Sequence, residues 1–275
     1  YGGLWWAHPE DTPDVLAAAA EIWIVEGVFD ALALRQHGVV AVAALSSNNY
    51  PERALERLQE AVTARRRRGE PPREPRLVFA LDSDAAGRAG IRKMVAKARE
   101  QGWADVAAAQ IRQPARGKVD WNDLHQRDRL TAEDLDECRW RGDLLLAPTA
   151  MEKSLLLHKR QGRGTFPFDF DSRLYWAAVS PGLLEEAQKR LAENPGQLTT
   201  PEEIEREALR QAMRVTSIAN CNPRPLYFQQ DPLTDESWYF YRVEFPHDGP
   251  PAKNTFTPAQ IAGAAEFKKR LLGIA

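Results

Sequence analysis

Ile22-Trp23-Ile24-Val25-Glu26-Gly27-Val28-Phe29-Asp30-Ala31 and Leu77-Val78-Phe79-Ala80-Leu81-Asp82-Ser83-Asp84-Ala85-Ala86-Gly87 share one pattern. In each, a short apolar run stops at acidic residues, and a glycine-containing turn opens a helical pattern. An apolar run of about five residues bounded by turn signals fits a strand buried on both faces. The acids then fall where a strand's carboxyl end meets the next helix, the usual functional edge of an open parallel sheet.

If the two strands are neighbours, Glu26, Asp82 and Asp84 converge. Like charges about 4 Å apart cost about 4 kcal/mol at an effective dielectric near 20, so a fold holds them together around a cation or a retained proton. Oxygen-only ligands suit a hard ion, Mg²⁺ or Mn²⁺, which keeps waters that phosphate oxygens replace. Asp is also a favoured helix N-cap, and Asp82 and Asp84 alone are open to that reading. Their pairing with Glu26-Gly27 at a second strand end favours the metal. Gly27 and Gly87 allow either a tight turn or close approach of a phosphate.

A third acidic segment follows, Lys118-Val-Asp120-Trp-Asn122-Asp123-Leu. With Glu26-Gly-Val-Phe-Asp30-Ala and Leu81-Asp-Ser-Asp84-Ala-Ala-Gly87 it resembles, in order and gaps, the Toprim domain of bacterial-type primases, type IA and II topoisomerases and some nucleases. The closing segment looks most like that of primase and primase-helicase proteins of phages, plasmids and integrative mobile elements. The resemblance covers about residues 21 to 126. It implies a Toprim-type, Rossmann-like open parallel sheet with helices on both faces. It implies two Mg²⁺ or Mn²⁺ ions, with Glu26, Asp82 and Asp84 as catalytic ligands and Asp120 and Asp123 supporting the second ion. Lys118 would meet a triphosphate and Asn122 would orient a ligand, although such primases often carry an acid at that position. Asp30, one helical turn after Glu26, would orient a metal-bound water. Asp120 is equally able to cap a short helix.

Length and composition set the outer bounds. At 275 residues and net charge −2, the chain suits two domains and has no global field to attract nucleic acid. Two distant cysteines, Cys138 and Cys221, argue against a disulfide scaffold or a four-ligand zinc site. No apolar run reaches 18 residues and no signal peptide is visible, so a soluble, cytoplasmic protein without membrane contact is expected. The absence of an initial Met suggests a piece of a longer polypeptide, and the resemblance to primases implies a zinc-binding module upstream of it.

The expected organisation is a lead-in segment over 1–20, a Toprim catalytic domain over 21–147 and a smaller α+β accessory domain over 148–275. Trp5 and Trp6 are read as packing on the sheet rather than stacking on bases. Strands are expected at Ile22–Val25, Val39–Leu45, Arg76–Leu81 and Val106–Ile111. Helices are expected at Asp14–Ala20, Val28–His37, Pro51–Arg66 (with Pro51 at the first helical position) and Ala85–Gln101. Ser47, Asn48 and Asn49 reach the functional edge, where turn chemistry is the favoured reading. Arg65, Arg66, Arg67 and Arg68, with Arg73 and Arg76, form a basic run that either contacts nucleic acid or complements a helix dipole. Arg88, Arg92 and Lys93 lie on the first turns after Asp84, near an anionic substrate. One further helix is expected within 127–150. Beyond it the sequence suggests helices at Leu183–Glu193 and Pro201–Arg214, the latter with a Thr200/Glu203 capping box. It also suggests a strand at Ser237–Phe245 partnered by Leu226–Gln229, and one helix over Thr257–Leu272. The aromatics of this half are read as core.

Three functions fit. The first is a primase-type nucleotidyl transferase using single-stranded DNA, NTPs and a helicase module in cis or in trans. The second is a metal-dependent nuclease at the same site. The third is a non-catalytic module binding nucleic acid or a helicase, to which three clustered carboxylates contribute nothing. A topoisomerase would need a tyrosine nucleophile in a strand-passing scaffold, which nothing in the chain marks.

Overall fold

The computed structural model describes residues 2–70, 74–113, 119–196, 198–246 and 251–272. The chain divides into two compact units, Tyr1–Ala147 and Pro148–Ala275. In the first, α1 (Pro13–Ala18) precedes an alternation of β1 (Glu21–Val25), α2 (Val28–Gln36), β2 (Ala41–Ala43), α3 (Glu52–Arg67), β3 (Arg76–Phe79), α4 (Ala85–Glu100) and β4 (Val106–Ala108). Helices α5 (Trp121–Gln126) and α6 (Ala132–Leu146) close it. The strands pair in parallel in the order β2-β1-β3-β4.

Each strand splits its side chains between two cores, because successive residues of a strand point to opposite faces. Ile22, Ile24, Leu77 and Phe79 pack with residues of α1, α3 and α4. Trp23, Val25, Val78 and Ala80 pack with residues of α2 and α6 and with Trp121. Burying a large apolar side chain contributes about 1.5–3 kcal/mol, so two filled faces explain why these strands read as unbroken apolar runs. The chain leaves β1 through α2 on one face and leaves β3 through α4 on the other. The gap between the ends of these adjacent strands is therefore the switch point of the sheet, where ligands of such folds bind.

The lead-in segment joins this sheet as expected. The Trp6 backbone N–H donates to Ala43 O at 2.8 Å, and the Ala43 N–H donates to Trp6 O at 2.9 Å. Trp5 packs against one core and Trp6 against the other. The strands β2 and β4 are shorter than the apolar runs that encode them. Pro51 is the N-cap of α3 rather than its first helical residue.

The second unit holds α7 (Ala150–Gln161), β5 (Thr165–Phe170), β6 (Arg173–Val179), α8 (Pro181–Glu193), α9 (Pro201–Ala212), β7 (Met213–Ala219), β8 (Asn222–Gln230), β9 (Ser237–Glu244), β10 (Ala252–Phe256), α10 (Pro258–Ala262) and α11 (Ala264–Leu272). Its strands form two antiparallel sheets, β5-β6-β7 and β10-β9-β8. The Thr200/Glu203 capping box of α9 is present. Three expectations need correction. The helix from Pro201 ends at Ala212, and Met213 starts a strand. Gly263, in extended conformation, divides the single helix expected over Thr257–Leu272. Several aromatics of this half are exposed rather than core.

One glycine decides how α6 meets the sheet. A Cβ on Gly142 would lie 1.9 Å from the carbonyl oxygen of Ala108. Alanine ordinarily gains about 1 kcal/mol over glycine inside a helix. Here the clash outweighs that gain, so Gly142→Ala is expected to destabilise the protein by about 1–3 kcal/mol. Urea unfolding should show a lower midpoint with an unchanged slope.

Candidate functional site

The register of β1 on β3 pairs Ile24 with Phe79, and the Ala80 N–H donates to Ile24 O at 2.9 Å. Continuing both chains past these pairs carries Glu26 and Asp82 to the same rim. Both are partly buried, whereas Asp84 is exposed. Asp84 is the N-cap of α4, its Oδ1 accepting the Gly87 N–H at 2.8 Å. Capping and ligation are not exclusive, because a carboxylate has a second oxygen. Gly87 is needed here, since a Cβ would sit 1.8 Å from the Asp82 carbonyl oxygen.

Asp30 is the knot of the rim. It is only 7 % exposed. Its Oδ2 accepts the Gly27 N–H at 3.2 Å and its Oδ1 accepts the Asn122 N–H at 3.1 Å. It thus ties the turn after β1 to the start of α5. A Cβ on Gly27 would come within 2.7 Å of Asp30 Oδ2. Burial pushes the Asp30 carboxyl up to about 6, and the charges of Asp120 and Asp82 push it the same way against the two backbone hydrogen bonds. Negative charge from two other segments thus bears on Asp30.

The closing segment is held by its tryptophan. Trp121 is fully buried, donates its indole N–H to Ala80 O at 2.7 Å, and stands edge-on to Trp23 at 5.3 Å between ring centres. Asp120 caps α5 in a reciprocal box: its Oδ1 accepts the Asp123 N–H at 2.7 Å, and Asp123 Oδ2 accepts the Asp120 N–H at 3.3 Å. Arg127 lies 3.9 Å from Asp123. Capping, left open from sequence, is thus what Asp120 does in the fold. Lys118 lies outside the described residues, as does Arg73.

The other candidates sort by position. Arg88 is partly buried and donates to the Ser83 carbonyl, while Arg92 and Lys93 are exposed farther along α4. The run Arg65, Arg66, Arg67 and Arg68 ends α3 at the opposite edge of the sheet. Arg65 pairs with Glu70 and Asp14, and Arg68 reaches Asp14 at 2.6 Å and Glu70 at 2.9 Å. Asn49 holds the turn after β2 by donating to Leu4 O at 2.8 Å and Ala44 O at 2.6 Å and by accepting the Gly3 N–H at 3.0 Å. Turn chemistry accounts for it.

The donor set fits a hard divalent cation. It consists of carboxylates, the charges of two of them, Asp120 and Asp82, bear on the buried Asp30, and Ser83 between the two aspartates keeps a buried hydroxyl without a hydrogen-bond partner. Among the described residues no three of these groups stand close enough to form a ready-made cage. Mg²⁺ does not require one, being commonly held by one or two carboxylates with waters completing its shell.

A doubly wound α/β unit with acids at its switch point defines a class, and comparison with known families agrees. The family described as Toprim-like matches residues 23–125, so this part of the chain is a Toprim-like domain. Such domains bind Mg²⁺ and occur in primases, nucleases and topoisomerases. Comparisons with curated proteins and with solved structures each found no match. Among the described residues no helix is long and apolar enough to cross a membrane.

Two residues of the rim were quoted in the sequence reading without a role. Trp121 was hidden by the acids around it. Phe29 is 73 % exposed beside Glu26. Its position was legible, because Ala31 and Leu34 mark the buried face of α2 and Phe29 lies off it.

An unfolded aspartate titrates near 3.9. Between that value and about 6 the native protein holds a proton on Asp30 that the unfolded chain has released. Asp30 therefore contributes stability below this window and loses it as pH rises through it, by about 3 kcal/mol in all. Urea midpoints from pH 4 to 7 in metal-free buffer should show this fall in the wild type and not in Asp30→Asn.

Proposed function

We propose that the rim of the Toprim-like domain performs metal-dependent nucleotidyl transfer of the primase type, joining ribonucleotides on a single-stranded DNA template. The reading is supported by one observation above others: the Asp30 carboxyl, raised chiefly by its burial, also feels the charges of Asp120 and Asp82, so acids from the start of α5 and the end of β3 bear on one side chain beside the turn after β1.

Asp82 and Asp84 would hold a magnesium or manganese ion with Glu26 beside them, and Asp120 and Asp123 would serve a second. Such ions neutralise phosphate charge and make a hydroxyl easier to deprotonate. Glu26 takes the proton of the attacking 3′-hydroxyl. The new bond joins that oxygen to the α-phosphorus of the incoming triphosphate, the bond from the α-phosphorus to the bridging oxygen breaks, and pyrophosphate leaves. Arg88 and Lys93 on α4 supply positive charge for the phosphates. The N-terminus of α4 adds its dipole. Asp30 keeps the turn bearing Glu26 in register with α5.

Incubation with single-stranded template, labelled NTPs and Mg²⁺ or Mn²⁺ should yield oligoribonucleotides. Glu26→Gln and Asp82→Asn should each lower the yield by about a hundredfold or more, the range expected for losing a general base or a charge-stabilising group. No product from the wild type would overturn the reading. Cleavage of DNA in the absence of NTPs would reassign the same rim to hydrolysis.

A further inference from the structure

The sheet β10-β9-β8 has two unlike faces. Tyr239, Tyr241 and Val243 of β9 point into a core with Phe256 and Phe267. Trp238, Phe240 and Arg242, alternating with them, face the other way. The register sets Tyr227 of β8 against Phe240, Gln229 against Trp238, and Lys253 of β10 against Arg242. The Tyr227 and Phe240 rings are stacked at 4.3 Å and 20°. Tyr227 is 57 % exposed and Trp238 38 % exposed.

A soluble fold gains nothing from presenting such rings to water, so the face calls for an occupant. Its chemistry narrows the choice. The edge strand β8 carries Pro223 and Pro225, which supply no N–H donors and blunt the addition of a further strand. The aromatic face is ringed by Arg224, Arg242 and Lys253. Arg224 lies 2.9 Å from Glu244 and 3.9 Å from Asp169, Arg242 lies 3.5 Å from Glu244, and Lys253 is exposed. Among the described residues named here, three cations stand against two acids, in a chain whose net charge is −2. Flat rings with basic groups beside them on an antiparallel sheet suit a polyanion that carries flat rings of its own.

We propose that the outer face of the β10-β9-β8 sheet is a stacking platform for single-stranded nucleic acid, with Tyr227, Phe240 and Trp238 receiving bases and Arg242 and Lys253 receiving phosphates. The platform lies outside the Toprim-like domain and stands independently of the metal reaction. Stacking on aromatic rings is tolerant of sequence, so the platform holds a strand without selecting one.

The test is binding of a fluorescein-labelled oligothymidylate by the full chain, followed by anisotropy in EDTA, where metal chemistry is silent. Failure here leaves primer synthesis untouched, and failure of primer synthesis leaves this result untouched. Tyr227→Ala combined with Trp238→Ala should weaken binding by about tenfold or more. Tyr227→Phe should bind like the wild type. Arg242→Ser should shallow the dependence of log affinity on log salt by about 0.7. Circular dichroism melts of each variant check that the fold is kept. The proposal is overturned by an unbound wild type, by an unchanged double variant, or by a face that instead mediates self-association, seen as a dimer that the double variant abolishes.

Discussion

A wholly buried indole gains by placing its one N–H on an acceptor, because leaving it unpaired costs about 1–3 kcal/mol. Trp121 places it on the carbonyl of Ala80, just past the end of β3. That single bond, with the edge-on contact to Trp23, fixes the start of α5 against the two central strands. Everything at the rim follows from this placement. Asn122 comes within reach of Asp30, Asp120 comes close enough to act on it electrostatically, and the turn bearing Glu26 is held from both sides. The site is thus braced by an apolar side chain lying within the acidic motif itself.

The same residues serve as caps and as candidate ligands. Asp84 starts α4 and Asp120 starts α5, each satisfying a backbone donor that a helix N-terminus leaves open. This economy removes the opposition between structural and chemical readings that the sequence presents. An aspartate fixed by its cap has little rotational freedom left, so less entropy is lost when its other oxygen takes up a cation. Repulsion from Asp120 and Asp82 adds to the effect of burial at Asp30, whose carboxyl is raised far enough to retain a proton in mildly acid solution.

The first unit was legible because parallel strands buried on both faces announce themselves as apolar runs, and because acids at their ends break those runs sharply. The adjacency of β1 and β3 was not contained in either run. It depends on the reversal of crossover direction between α2 and α4, which is a property of the whole sheet. The second unit was read poorly for local reasons. The β5–β6 hairpin turns at Asp171 and Ser172, both with positive φ, where glycine or asparagine would have flagged the turn. Its β8 strand carries two prolines and a register shift after Pro225, which blur the alternation that marks a strand. The exposure of Tyr227 and Trp238 was likewise hidden, since β-propensity is the same for a ring that faces solvent as for one that faces a core.

The antiparallel bridge between Trp6 and Ala43 has a consequence for self-association. A parallel sheet of four strands offers an outer ladder at β2 that another chain could extend into a fibre or a swapped dimer. The backbone of Trp6 already occupies that ladder with two hydrogen bonds, and its flanking indoles clamp it to both cores. An intruding strand would have to evict this plug before it could pair, so the first residues of the chain act as a built-in guard against aggregation.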